Sequence, residues 1–90
     1  MNGYMVKNDF ENLFLACEGI DFTLSRCGSV VGTVRGLLQK KQIQFKAESN
    51  ICTGDLLRCD LKGVSFCVDK IGYEIVGGIR TALLANVHEV

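Results

Sequence analysis

Hydrophobic positions recur with two different periods along this chain, and the change falls at Gly19. Before it, Phe10, Leu13, Phe14 and Cys17 stand at i, i+3, i+4 and i+7, which is one face of a helix. Asn8 is a good N-cap, and Glu11 three residues later completes a capping-box pattern. Asp9 and Glu11 in the first turn suit the helix dipole. Gly19 is a natural stop, since glycine takes the left-handed conformation at no steric cost. The spacing predicts a helix over 8–18. So short a helix frays alone, so its aromatic face is expected to dock on the rest of the chain, leaving its acidic face outward.

After Gly19 the period is two. Ile20, Phe22 and Leu24 alternate with Asp21, Thr23 and Ser25, the pattern of a half-buried strand. Gly28-Ser29 reads as a turn. A valine-rich strand follows to Leu38, broken by Gly32 and Gly36, where a bulge or bend is expected. Lys40-Lys41 makes a polar loop, and Ile43, Phe45 and Ala47 face one side of a third strand. Thr53-Gly54-Asp55 is a turn. Leu57, Cys59 and Leu61, then Val64, Phe66 and Val68, form a hairpin across Lys62-Gly63. A second hairpin runs from Tyr73–Val76 through Gly77-Gly78 into a strand beginning at Ile79. The run 81–85 is also compatible with helix, being rich in alanine and leucine. The Gly-Gly turn and the β-branched residues at both ends favour strand.

The sum is a mainly β chain: a small β-barrel or sandwich of six or seven antiparallel strands with a short N-terminal α-helix. The 90 residues make one domain, 1–90, with the helix over 8–18 and the barrel or sandwich over 20–88. Apolar residues are 48% of the chain and charged residues 22%, a globular balance rather than a disordered one. No apolar run approaches the length of a membrane span, and no secretory signal is expected.

Net charge is zero, which makes the whole chain a poor non-specific ligand for nucleic acid. The charges are unevenly placed. Residues 1–25 hold Lys7 against Asp9, Glu11, Glu18 and Asp21. Residues 26–47 hold Arg26, Arg35, Lys40, Lys41 and Lys46 with no acid at all. An acidic start and a basic middle can attract a second copy head to tail, so Asp9, Glu11, Glu18, Asp21, Arg35, Lys40 and Lys41 are the candidate interface residues.

Catalytic chemistry is hard to place. The lone histidine is His88, three residues into the C-terminal end, and no glycine loop has phosphate-binding spacing. Asp55 and Asp60 adjoin turns, where aspartate bonds its own backbone. No enzyme activity and no cofactor are expected. The five cysteines, Cys17, Cys27, Cys52, Cys59 and Cys67, contain no C-x-x-C pair. Zinc ligands typically come in pairs two to four residues apart, so no metal is expected. Cys59, Cys67 and His88 are the residues that could still meet in space. Small OB-type barrels bind single strands through exposed aromatics and basic groups. Phe45 alternates in phase with Ile43 and Ala47, so it points into the core and leaves no exposed aromatic beside the basic residues.

The sequence also resembles a known family. Asp9-Phe10-x-Asn12-Leu13-Phe14 is similar to the opening helix of the lambda-type head–tail joining proteins of long-tailed phages. Val31-x-x-Val34-x-Gly36 resembles the glycine-bearing strand that follows there. Gly54-Asp55-x-Leu57 and then Phe66-x-Val68-Asp69-x-Ile71 are similar to the family's turn, strand and hairpin signature. The likeness covers residues 9–17 and 28–71 in matching order. It implies a structural virion protein of the neck, assembled in the host cytoplasm, that forms a ring by head completion. Its partners would be portal-proximal head-completion proteins and the tail-end protein. A monomer in solution is compatible with this, since such rings form on their template. The family's C-terminal tail has no counterpart here, so contacts made there are not carried over. The alternative, from another class, is a small OB-like barrel that binds single-stranded nucleic acid.

Overall fold

A computed structural model describes residues 2–90. The N-terminal helix is α-helical over Gly3–Asp9 (α1), π-helical over Phe10–Leu15 and α-helical again over Ala16–Glu18 (α2). Six strands follow: β1 Ile20–Arg26, β2 Ser29–Gln39, β3 Gln42–Phe45, β4 Leu56–Cys59, β5 Val64–Val76 and β6 Ile79–Glu89. They close into an antiparallel barrel in the order β1-β2-β3-β6-β5-β4. The expected fold class therefore holds, as a closed barrel of six strands.

The helix departs from the expectation at its start. It begins at Gly3, and its N-cap is Asn2, whose side chain accepts a 2.9 Å bond from the Met5 amide. Asn8 lies inside α1. A side chain at Gly3 would collide with the Val76 carbonyl and the Ile79 side chain, so glycine there lets the helix backbone touch the tip of the β5–β6 hairpin.

The buried face differs too. Phe10 and Leu15 are buried, whereas Leu13, Phe14 and Cys17 are not; Phe14 is 51% exposed. The cause is the π-helical turn. Its bonds run from i to i+5, so residues five apart stack, and the 3.6-residue period used to pick Phe14 does not apply. Phe10 and Leu15 pack with Ala82 of β6, flanked by Leu37 and Leu84, in a small core under the helix.

Gly19 ends the helix, but in an extended conformation (φ −68°, ψ 156°) rather than a left-handed one. Its need is for space. A Cβ there would overlap the Leu15 carbonyl and crowd the Arg35 side chain. Arg35 completes the end by donating from Nε to the Leu15 carbonyl at 2.9 Å and from Nη2 to the Ala16 carbonyl at 3.1 Å. A cation satisfying the last carbonyls of a helix is the favourable arrangement for the dipole.

The barrel core is Phe22, Leu24, Ile43, Phe45, Ile51, Leu57, Cys59, Phe66, Val68, Leu83, Ala85 and Val87. Phe22 meets Phe45 and Phe66 edge to face at 6.2 and 6.4 Å, the geometry aromatic quadrupoles prefer. Leu83 and Ala85 of β6 face this core, while Ala82 and Leu84 face the helix. A strand covered on both sides loses its polar alternate positions, which is why 81–85 also looked helical.

The two segments read as separate strands at 64–68 and 73–76 are one strand, β5. Register shifts at Val68/Lys70 and Glu74/Ile75 bend it. The first leaves Asp69 as a bulge, and the bulge interrupts the alternation from which the strand would be recognised. A similar shift in β2 leaves Val31 unpaired beside Gly32, where a bulge was expected. The β1–β2 turn is Cys27-Gly28, both at positive φ, one residue earlier than the sequence suggested.

This packing makes two phenylalanines four residues apart unequal. Phe10→Ala should destabilise the protein by about 3–5 kcal/mol, the core aromatic range. Phe14→Ala should cost under about 1 kcal/mol, since half of that ring is already in water. Chemical denaturation of the two variants checks the order, and a larger loss at Phe14 would refute the π-helical register.

Candidate functional site

The seven candidate charges divide into two groups. Three are engaged within the chain. Asp21 of β1 and Arg35 of β2 face each other across the ladder at 3.2 Å. Glu11 lies 3.0 Å from Lys7, one helical turn earlier, and Lys7 reaches Glu48 at 2.6 Å. Both carboxylates raise the affinity of the Lys7 amine for its proton, Glu48 more than Glu11. The Glu48 carboxyl is held below its usual range, first by Lys7. The acidic start and basic middle are thus partly matched inside one chain, not reserved as two opposing faces.

The remaining four, Asp9, Glu18, Lys40 and Lys41, are exposed. Among the described residues none of them enters an ion pair. Lys40 and Lys41 form the two-residue turn between β2 and β3. The Val87 amide donates to the Lys41 carbonyl at 2.9 Å. The start of the helix meets the other end of β6, at Ile79. At about 3.3 Å per residue, eight residues of strand place these two features roughly 26 Å apart.

Between the helix and the sheet lies a groove of about 430 Å³, walled by Val6, Phe10, Phe14 and Leu37 and rimmed by Asp9, Gln39, Gln44 and Glu74. It is apolar at its floor with two carboxylates at its edge. Further large apolar side chains stand outside the filled barrel: Tyr4, Met5 and Leu13 on the helix, Val30 and Val31 beside the β1–β2 turn, Ile75 on β5, and Leu61, 85% exposed, in the β4–β5 turn. Sequence reasoning placed Leu13 and Phe14 inward and missed this surface. The signal that could have found it is the even spread of apolar residues around the helix, Tyr4, Met5, Phe10, Leu13, Phe14 and Leu15, which is wider than one buried stripe.

Phe45 is fully buried, as its phase required. One exposed aromatic nevertheless stands beside a basic group, against expectation. The Arg80 guanidinium carbon lies 4.3 Å from the Tyr73 ring centroid, a cation–π contact. Cross-strand neighbours such as β5 Tyr73 and β6 Arg80 are invisible to a scan for adjacent residues.

Asp55 is more than a turn former. It accepts the Cys52 amide at 2.8 Å, the local bond expected of it. It also receives a two-pronged bond from Arg26, Nε to Oδ1 at 2.9 Å and Nη2 to Oδ2 at 2.8 Å. The same Nη2 donates to the Asn50 carbonyl at 3.1 Å. Asp55 is 1% exposed. Arg26 holds its carboxyl below the usual range, and this outweighs the opposing effect of burial. Cys59 is buried in the core, Cys17, Cys27 and Cys52 are exposed, and Cys67 is half-buried; all five are free thiols.

Among the described residues no helix is long and apolar enough to cross a membrane. No family model, curated protein or solved structure matches the chain.

The Arg26–Asp55 pair sets an acid limit on the fold. A carboxyl whose folded pKa is depressed stabilises above its unfolded pKa of about 3.9, and that contribution disappears as pH falls through the folded value. Melting temperature should therefore stay level from about pH 7 to 5 and fall below about pH 4. Asp55→Asn should melt lower at neutral pH and lose less on acidification. A variant with the wild-type acid profile would show that other groups set the limit.

Proposed function

We propose that this chain is a structural subunit of a phage neck. It assembles as a homo-oligomeric ring at the end of the DNA-filled head and joins head to tail through protein–protein contacts. Its partners are portal-proximal head-completion proteins on one side and the tail-end protein on the other. The observation that carries this reading is the large apolar side chain left outside a barrel whose interior is already full. Tyr4, Met5, Leu13, Phe14, Val30, Val31 and Leu61 are all more than half exposed. Exposed apolar clusters mark interaction surfaces, and covering them with protein is favoured by about 25 cal/mol per Å². The resemblance of the opening helix and the Gly-Asp hairpin to head–tail joining proteins supplies the biological setting.

A ring needs unlike surfaces that meet by rotation. The free cations stand on the Lys40-Lys41 turn and the free carboxylates Asp9 and Glu18 on the helix, two unlike surfaces of the kind a head-to-tail contact uses. Closure pairs β4 and the first residues of β5 on both sides, so contacts there run through side chains, while β5 from Val68 to Val76 is paired with β6 alone. The second reading, an OB-like barrel binding single strands, has Tyr73 and Arg80 in its favour. That platform is single and already covered by the chain's own guanidinium, so the first reading stands.

The test uses the charges that have no partner within the chain. Asp9→Lys with Glu18→Lys should change stability by no more than about 0.5 kcal/mol, as surface changes usually do. The same double variant should lower the yield of infectious particles in a complementation assay. Unchanged yield would remove the acidic side of the helix from the mechanism. Fluorescence polarisation with single- and double-stranded oligonucleotides at physiological salt should show nothing tighter than the non-specific range of about 10⁻⁴–10⁻⁶ M. Tighter binding would favour the second reading.

A further inference from the structure

The β5–β6 register sets Cys67 directly opposite His88. The Asp69 carboxylate Oδ1 lies 2.7 Å from His88 Nδ1, and Asp69 is the bulged residue two places along β5 from Cys67. One donor atom from each residue, the sulfur of Cys67, a carboxylate oxygen of Asp69 and a ring nitrogen of His88, falls within a set whose members all lie within 4.8 Å of one another. We propose that Cys67, Asp69 and His88 bind one zinc-class divalent ion, with three protein ligands and a fourth position open to solvent.

The donor set selects the ion. Thiolate, imidazole and carboxylate together suit borderline-soft zinc and not magnesium or calcium, which take oxygen alone. Bonds of about 2.0–2.3 Å in a tetrahedral site put neighbouring donors roughly 3.3–3.8 Å apart. The present separations need only small movements: His88 Nδ1 and Asp69 Oδ1, now 2.7 Å apart, part slightly to admit the ion, within a set whose members all lie within 4.8 Å. Asp69 and His88 are about half exposed and free to move, and Cys67 is partly exposed. The ladder fixes the backbones of Cys67 and His88 opposite each other, and the bond between Asp69 and His88 Nδ1 gives way to the ion when both side chains become ligands.

Lys40, Lys41 and Glu89 line the same depression as Asp69 and His88. The two lysines oppose an incoming cation, and Glu89 and Asp69 offset them. The Cys67 thiol must lose its proton and the imidazole must be neutral, so uptake releases protons and weakens as pH falls. This inference stands apart from the neck reading and revises the expectation that no metal binds. Sequence spacing gave no ligand pair because the pairing is made across strands.

The experiment is calorimetric titration of zinc chloride into the reduced full chain near neutral pH, with cobalt(II) as a reporter of thiolate ligation. One ion per chain is expected, with a rise in melting temperature. Cys67→Ser and His88→Ala should each weaken binding about tenfold or more, and Cys67→Ser should abolish the cobalt–thiolate absorption. Cys17→Ser, Cys27→Ser and Cys52→Ser should bind as the wild type does. His88→Asn replaces His88→Ala should the latter fail to fold, which circular dichroism reports. No stoichiometric uptake, or uptake that survives the loss of His88, overturns the proposal.

Discussion

The barrel closes through a short seam, and one ion pair holds that seam in register. β1 and β4 meet in only three pairs, Thr23 with Arg58, Leu24 with Leu57 and Ser25 with Leu56. The next residues along the two chains are Arg26 and Asp55, and their two-pronged bond continues the seam where the ladder stops. A slip of β4 by one residue would break that fork and turn Leu57 outward while Leu24, held by β2, stays in the core. Buried ion pairs often add little net stability, so the weight of this one lies in specifying the register. The same carboxylate pins the Cys52 amide, and Ile51 beside it enters the core. Without the seam, β1 and β4 would be open sheet edges on a chain too small to cover them.

The fold was legible wherever one side of an element meets water. β1, β3, β4 and the first half of β5 alternate apolar and polar residues because the barrel interior is dry and its exterior is not. Legibility failed where that condition fails. β6 is covered on both faces, so its alternation fades between Ala82 and Ala85. Asp69 breaks the rhythm of β5 because a bulge inserts one residue into an otherwise continuous strand. In the helix, Phe14 was chosen by a 3.6-residue period, while Phe10 and Leu15 are brought together by a turn of a different pitch. Nothing in the sequence from Phe10 to Leu15 announces that pitch; it is set by docking against Ala82 and Leu84.

The candidate site was less legible for a related reason. A sequence counts charges but does not show their partners. Asp21 and Arg35 are 14 positions apart and face each other across a ladder; Arg26 and Asp55 are 29 apart and share a fork. Glu11 and Lys7 alone are separated by the helical interval that makes a pair foreseeable. Once these groups are matched inside the chain, the candidate charges left for a neighbour are Asp9 and Glu18 on the helix and Lys40 and Lys41 at a turn. The surviving asymmetry is smaller than the composition suggested, and it sits at definite places on a rigid frame.

That frame carries one further consequence. The pairings join Val30 to Ser25, Ser25 to Leu56, Leu56 to Cys67 and Cys67 to His88. Directly paired residues point to the same side of a sheet, so these five form one outward row across β2, β1, β4, β5 and β6. Its inward neighbours, Leu24, Leu57 and Phe66, are core residues, which fixes the row's backbone from beneath. Val30 at one end and Leu56 at the middle of the row are exposed, and the row finishes at the Cys67–His88 pair. An ion held there would tie β5 to β6 at the end of the same girdle. Association costs freedom in the side chains it immobilises. Valine, leucine and serine mounted on a closed barrel have little of it to lose, so a girdle of this kind is a surface suited to repeated, identical contacts.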